Sequence, residues 1–103
     1  MTNGSNALAA LAEPMRAAIV EQLAQRPMAV GELAACLPVT RPAVSQHLKV
    51  LKDARLVRDE ALGTRRVYHI DPAGLGQIRS WLDSFWEKAL AQFVEAAERE
   101  GRQ

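Results

Sequence analysis

Aromatic residues make up only 5% of this 103-residue chain, cysteine occurs once, at Cys36, and no apolar run is longer than ALAALA at residues 7–12. A helix that crosses a membrane needs about 20 apolar residues, so no span and no membrane partner are expected. One thiol cannot staple a fold, and no basic stretch followed by a long apolar one opens the chain, which points to a reducing, cytoplasmic setting. Cofactor motifs are equally scarce. GLGQIR at 74–79 lacks the third glycine of a dinucleotide fingerprint and follows a helix start instead of a strand, so no cofactor is expected. Ser45 and His47 stand two apart on a helix, point in different directions and have no orienting acid, so no catalytic residue is assigned and an enzyme is not expected.

The residues present are those of a helix-rich globular protein, 49% apolar and 24% charged. A chain of this length can bury roughly 60–70% of its unfolded surface around one core. The net charge of +1 hides an uneven distribution: residues 41–70 hold seven Lys/Arg against three acids. A polyanion would bind that middle third.

Residues 1–5 are small and polar and are expected to be disordered, leaving one domain over 6–100. A short apolar helix ends near Glu13, before Pro14, and a second runs from Pro14 to about Gln25 with Met15, Ile19, Val20 and Leu23 on one face. A third covers about 30–37. Thr40 is placed as an N-cap and Pro42 sits early enough that its missing N–H costs nothing, so a helix over about 41–54 begins there. Its apolar stripe is Val44, Leu48 and Leu51, which leaves Arg41, Pro42, Ser45, Gln46 and Lys49 on the opposite side. Two strand-like runs (about 55–60 and 65–70) flank ALGT, whose Gly63 suits a hairpin bend. Asp71-Pro72 then repeats the cap signal and opens a helix of about 25 residues, to about 98. That helix has an apolar face too broad for one small domain to cover, so it is predicted to pair with its own copy.

The fold class is therefore mainly α with a small β-hairpin, in the order of a winged helix-turn-helix domain flanked by dimerising helices. ALAEPMRAAIVEQL, AVGELAACLPVTRPAVSQHLKVLKDARLV and GTRRVYHI resemble the ArsR-type family of bacterial transcriptional repressors. The resemblance rests on three separated motifs in the right order and spans most of the chain. It implies a homodimer formed through the N- and C-terminal helices, here by Leu8, Leu11, Leu82, Phe85, Trp86, Leu90 and Phe93. It also implies double-stranded DNA as partner, with one recognition helix per subunit in a major groove of a pseudo-palindromic operator and the wing, about 55–70, on the backbone.

Two departures stand out. Ala29 and Gly31 occupy positions that carry metal-binding cysteines in founding members, and the last helix has no histidine, so the chain resembles a metal-independent branch with no metal ligands. Whether a small-molecule inducer acts on it is not written in these residues. Arg55 stands where relatives usually carry glycine; a left-handed cap would cost a non-glycine residue about 1–2 kcal/mol, so the helix is expected to end in another way.

A major groove presents a distinct donor and acceptor pattern for every base pair, so its readers are short or planar side chains on one exposed face. Gln46 suits an adenine edge, Arg41 a guanine edge or a phosphate, and Ser45 either edge or backbone. Thr40 and the helix start it caps offer N–H groups to phosphate. Pro42 and Ala43 allow close approach and a methyl contact to thymine. Lys49, Arg58, Arg65 and Arg66 are read as phosphate contacts. His47 reads as a packed histidine and Cys36 as a small core residue. Two duller alternatives stay open: an ordinary solvated face, and a winged-helix module that binds protein in place of DNA.

Overall fold

The computed structural model describes residues 3–102. In chain order its elements are α1 (Asn3–Ala12), α2 (Pro14–Gln25), β1 (Met28–Ala29), α3 (Val30–Cys36), α4 (Arg41–Asp53), β2 (Val57–Leu62), β3 (Arg65–Ile70) and α5 (Pro72–Gly101). Three helices open on one device, an oxygen-bearing cap followed by a first-turn proline. Glu13 Oε1 accepts from the Arg16 N–H at 2.8 Å, Thr40 Oγ1 from Ala43 at 3.3 Å and Asp71 Oδ1 from Ala73 at 2.9 Å. Each satisfies a backbone donor that the helix cannot pair itself. The start of α3 is different, since its cap residue Ala29 has no side-chain acceptor. There the Glu32 carboxylate reaches back to the Ala29 N–H at 3.0 Å, which is one half of a capping box.

The core lies where α2, α3 and α4 meet the sheet. Ile19, Leu33, Val44, Leu48, Leu51 and Leu56 are each at most 1% exposed. Burying a side chain of this size contributes roughly 1.5–3 kcal/mol, so the Val44, Leu48 and Leu51 stripe fixes which side of α4 faces outward. Ala7, Ala10, Met28 and Ile78 extend the same cluster to α1, β1 and α5.

α1 packs along α5. A Cβ on Gly4 would stand 2.5 Å from Trp81 Cβ and 2.6 Å from the Gln77 carbonyl oxygen, so glycine lets the two backbones approach. This corrects the expectation of a disordered start over residues 1–5: Met1 and Thr2 lie outside the described residues, while residues 3–5 form the first turn of α1 on this contact. The far end of α1 is capped by Arg16, whose Nε donates to the Ala10 carbonyl at 2.6 Å.

The sheet has three antiparallel strands in the order β1-β3-β2. β1 was not anticipated; its two residues pair Met28 with Tyr68 and Ala29 with Val67 across about 40 residues of sequence. The hairpin is also tighter than expected. Ala61 and Leu62 belong to β2, opposite Arg66 and Arg65, so the turn is Gly63-Thr64 alone. Gly63 has φ 65°, and a positive φ at the first central residue is the pattern of a II′ turn.

Arg55 overturns the expectation that α4 ends without a left-handed residue: its φ is 60°. The reason lies in the bonds that conformation allows. Leu56 N–H reaches the Leu51 carbonyl at 2.9 Å and Arg55 N–H the Lys52 carbonyl at 3.0 Å, the pair that defines a Schellman cap. The turned-out Arg55 carbonyl then accepts from the Gly74 N–H at 2.7 Å, which seats the first turn of α5 on the end of α4. α5 runs 30 residues, longer than expected, and from Leu82 onward all its described residues are exposed. An i,i+4 pair between Glu95 and Arg99 at 3.0 Å supports its last turns. No helix among the described residues is long and apolar enough to cross a membrane.

Candidate nucleic-acid interface

Burial of Val44, Leu48 and Leu51 turns the other side of α4 to solvent. Arg41, Pro42, Ser45, Gln46 and Lys49 are exposed, and Ala43 is half-buried beside the Thr40 cap. Steps of one, three, one and three residues keep the exposed five on one side of the helix. Arg41 is more constrained than its exposure suggests. Its Nη2 lies 2.7 Å from where a Cβ on Gly31 would be, so Gly31 leaves room for the guanidinium to lie across the start of α3. Sequence reasoning noted Gly31 only as a missing cysteine; the contact spans two helices and has no local signal.

The wing places Arg58, Arg65 and Arg66 on adjacent strands, all exposed. Two of the three are already paired. Arg65 Nη2 meets Glu32 Oε1 at 2.6 Å, and Arg26 Nη1 meets Glu32 Oε2 at 3.0 Å. Arg66 Nη1 meets Asp59 Oδ2 at 2.9 Å, and Lys52 Nζ meets Asp59 Oδ1 at 2.9 Å. Arg65 and Arg66, read from the sequence as phosphate contacts, each already hold a carboxylate partner in the free protein. A count along the chain cannot see carboxylates that the fold brings to them from α3 and from the neighbouring strand. Both side chains remain more than half exposed, at 59% and 57%, so their other donors still face solvent.

The carboxylates register these contacts. The Ala29 N–H, then Arg26 and Arg65, hold the Glu32 carboxyl down to about 2 from an ordinary 4.5. Asp59 is also held below its usual range, first by Lys52 and then by Arg66, against the opposing effect of its burial. Glu32 ties the wing to the start of α3, and Asp59 ties it to the last turn of α4.

His47 is packed at the edge of the core, its Nδ1 4.0 Å from Glu13 Oε1, and His69 Nε2 lies 2.6 Å from Glu60 Oε1 on the outer face of the wing. Cys36 is exposed, not the core residue expected, because Leu33 occupies the inward side of the short α3. Among the described residues no group of three or more His, Cys, Asp or Glu side chains is placed to hold a metal ion.

On α5, Leu82, Phe85, Trp86, Leu90, Phe93 and Val94 are exposed by 47–71%. Phe85 stands edge-on to Trp81 with ring centroids 4.9 Å apart, which fixes it at the root of this apolar face. Leu8 and Leu11 differ from the other residues expected at a dimer interface. Both are half-buried against this chain's own core, so only part of each is open to a partner.

Residues 13–59 match the family model described as "Bacterial regulatory protein, arsR family". The chain is 61% identical over 92 residues to the HTH-type transcriptional regulator Rv2034 of Mycobacterium tuberculosis, covering 89% of this chain and 86% of that protein. It is 45% identical over 71 residues to the HTH-type transcriptional repressor SmtB of M. tuberculosis, covering 69% of this chain and 53% of that one. Its fold is similar to the solution structure of the homodimeric winged helix-turn-helix DNA-binding domain of Mb0332 from Mycobacterium bovis. That likeness has a TM-score of 0.66 at 28% identity and covers 87% of this chain and 83% of the other.

Proposed function

Because the chain belongs to the arsR family of bacterial regulatory proteins, we propose that it is a homodimeric repressor that reads a pseudo-palindromic DNA operator with α4. One observation carries this reading: the Thr40-capped α4 presents Arg41, Pro42, Ser45, Gln46 and Lys49 together, opposite a fully buried stripe. Gln46 addresses a base edge. Arg41, Ser45 and the capped helix start hold the register, and Lys49, Arg58, Arg65 and Arg66 contact phosphate.

The second copy covers the apolar face of α5, with α1 beside it. Two recognition helices related by a two-fold axis then meet half-sites about one helical turn apart. Repression follows from occupying a promoter.

The assay compares two variants on duplexes that the wild-type protein prefers and on mixed-sequence DNA. Gln46→Ala should lose about 1–3 kcal/mol of discrimination at one base position, with little change on mixed DNA. Lys49→Ala should weaken binding to both and lower the salt slope by about one. Unchanged selectivity in Gln46→Ala would remove Gln46 from the reading set.

A further inference from the structure

The contacts of Glu32 bear on the DNA-binding reading itself and rest on it. Its carboxylate has three partners: Arg65 at 2.6 Å, Arg26 at 3.0 Å and the Ala29 N–H at 3.0 Å. The Glu32 and Arg65 side chains are 36% and 59% exposed, so the pair sits in water at the junction of α3 and the wing. An exposed pair of this kind is worth little by itself and separates readily. If Arg65 leaves, Glu32 still has Arg26 and the Ala29 N–H, and no buried charge is orphaned.

Asp59 is built differently. It is 8% exposed and bonded to Lys52 of α4, so it holds the root of the wing, and losing Arg66 would leave a nearly buried carboxylate with one partner. Of the two paired wing arginines, Arg65 is the one whose release costs least.

We propose that Glu32 is an internal rival of the DNA phosphate: it holds Arg65 against the body of the free protein, and on DNA a phosphate takes its place. Glu32 thereby lowers the affinity of the wing for DNA backbone of any sequence. Specific binding then depends more on the contacts of α4, since the sequence-independent attraction is partly cancelled. The carboxyl stays ionised far below neutral pH, so the exchange proceeds by a change of partner and not by protonation.

Glu32→Gln tests this. The amide oxygen can still accept from Ala29, so the helix start is kept while the charge is removed. On a mixed-sequence DNA duplex at low salt the variant should bind about three- to tenfold tighter than wild type, the scale of one charge a few ångströms from a phosphate near a wet surface. The gain should shrink as sodium chloride is raised. In an Arg65→Ala background, which removes the rival pair without touching the core, the gain should fall to less than half.

Equal or weaker binding by Glu32→Gln, with the wild type binding normally, would overturn the proposal and leave the DNA-binding reading intact. A gain that persists undiminished without Arg65 would show a general charge effect and would also overturn it. A wild-type protein that binds the duplex at no salt concentration would remove the DNA-binding reading, and this proposal with it.

Discussion

The Arg55 carbonyl seats the first turn of α5 on the end of α4, and Gly74→Ala tests this joint. A Cβ at that position would collide with the Arg55 carbonyl oxygen and stand 2.7 Å from its carbon and 2.8 Å from the Ala54 oxygen. All three are backbone atoms, so no side chain can swing aside. Overpacking of this kind costs about 1–3 kcal/mol, and strain on the 2.7 Å Gly74-to-Arg55 hydrogen bond adds about 1 kcal/mol. Alanine returns about 1 kcal/mol through its helix propensity. The net loss should be about 1–3 kcal/mol, which at about 4–8 °C per kcal/mol lowers the melting temperature by roughly 10 °C. Arg55→Gly should act in the opposite sense, gaining about 1 kcal/mol because glycine takes the left-handed cap without strain. Thermal and urea unfolding of both variants is compared at one protein concentration, since a dimer's stability varies with concentration. A Gly74→Ala variant as stable as wild type would refute the close approach and with it the account of how α5 is positioned.

Two further outcomes follow from the same structure. Phe85→Asp or Leu90→Asp should give monomers by sedimentation and abolish tight binding to an inverted repeat, since either buries a charge in the apolar face of α5; a dimer that still binds would place the interface elsewhere. Glu32 and Asp59 titrate lower in the folded chain than in the unfolded one, so their stabilisation is complete above the ordinary carboxylate range and is lost as pH falls, for Glu32 between 4.5 and about 2. Urea unfolding at stepwise lower pH should therefore decline less steeply in Glu32→Gln than in wild type, and identical slopes would contradict the pairing.

What could be read from the sequence is what is decided locally. The starts of α4 and α5 were legible because cap and proline act within four residues, that of α2 from Pro14 alone, and the outward face of α4 because three apolar residues at helical spacing define its opposite. What escaped depends on partners distant in the chain. β1 is a strand only because β3 offers it a ladder, and two residues carry no periodicity. The left-handed Arg55 violates a local preference that the Schellman bonds and the seating of Gly74 outweigh. A charge count could not show the partners of Arg65 and Arg66, since Glu32 lies 33 residues before Arg65 and Asp59 reaches Arg66 only once the hairpin has formed.

The central claim is that two copies of α4 read an inverted repeat. Selection of binding sites by the purified protein from a random double-stranded DNA library, at physiological salt, tests it most directly. Enrichment of an inverted repeat whose half-sites lie about one helical turn apart is the expected result. A library that stays flat through repeated rounds, or one that yields a single unrepeated site, would contradict it.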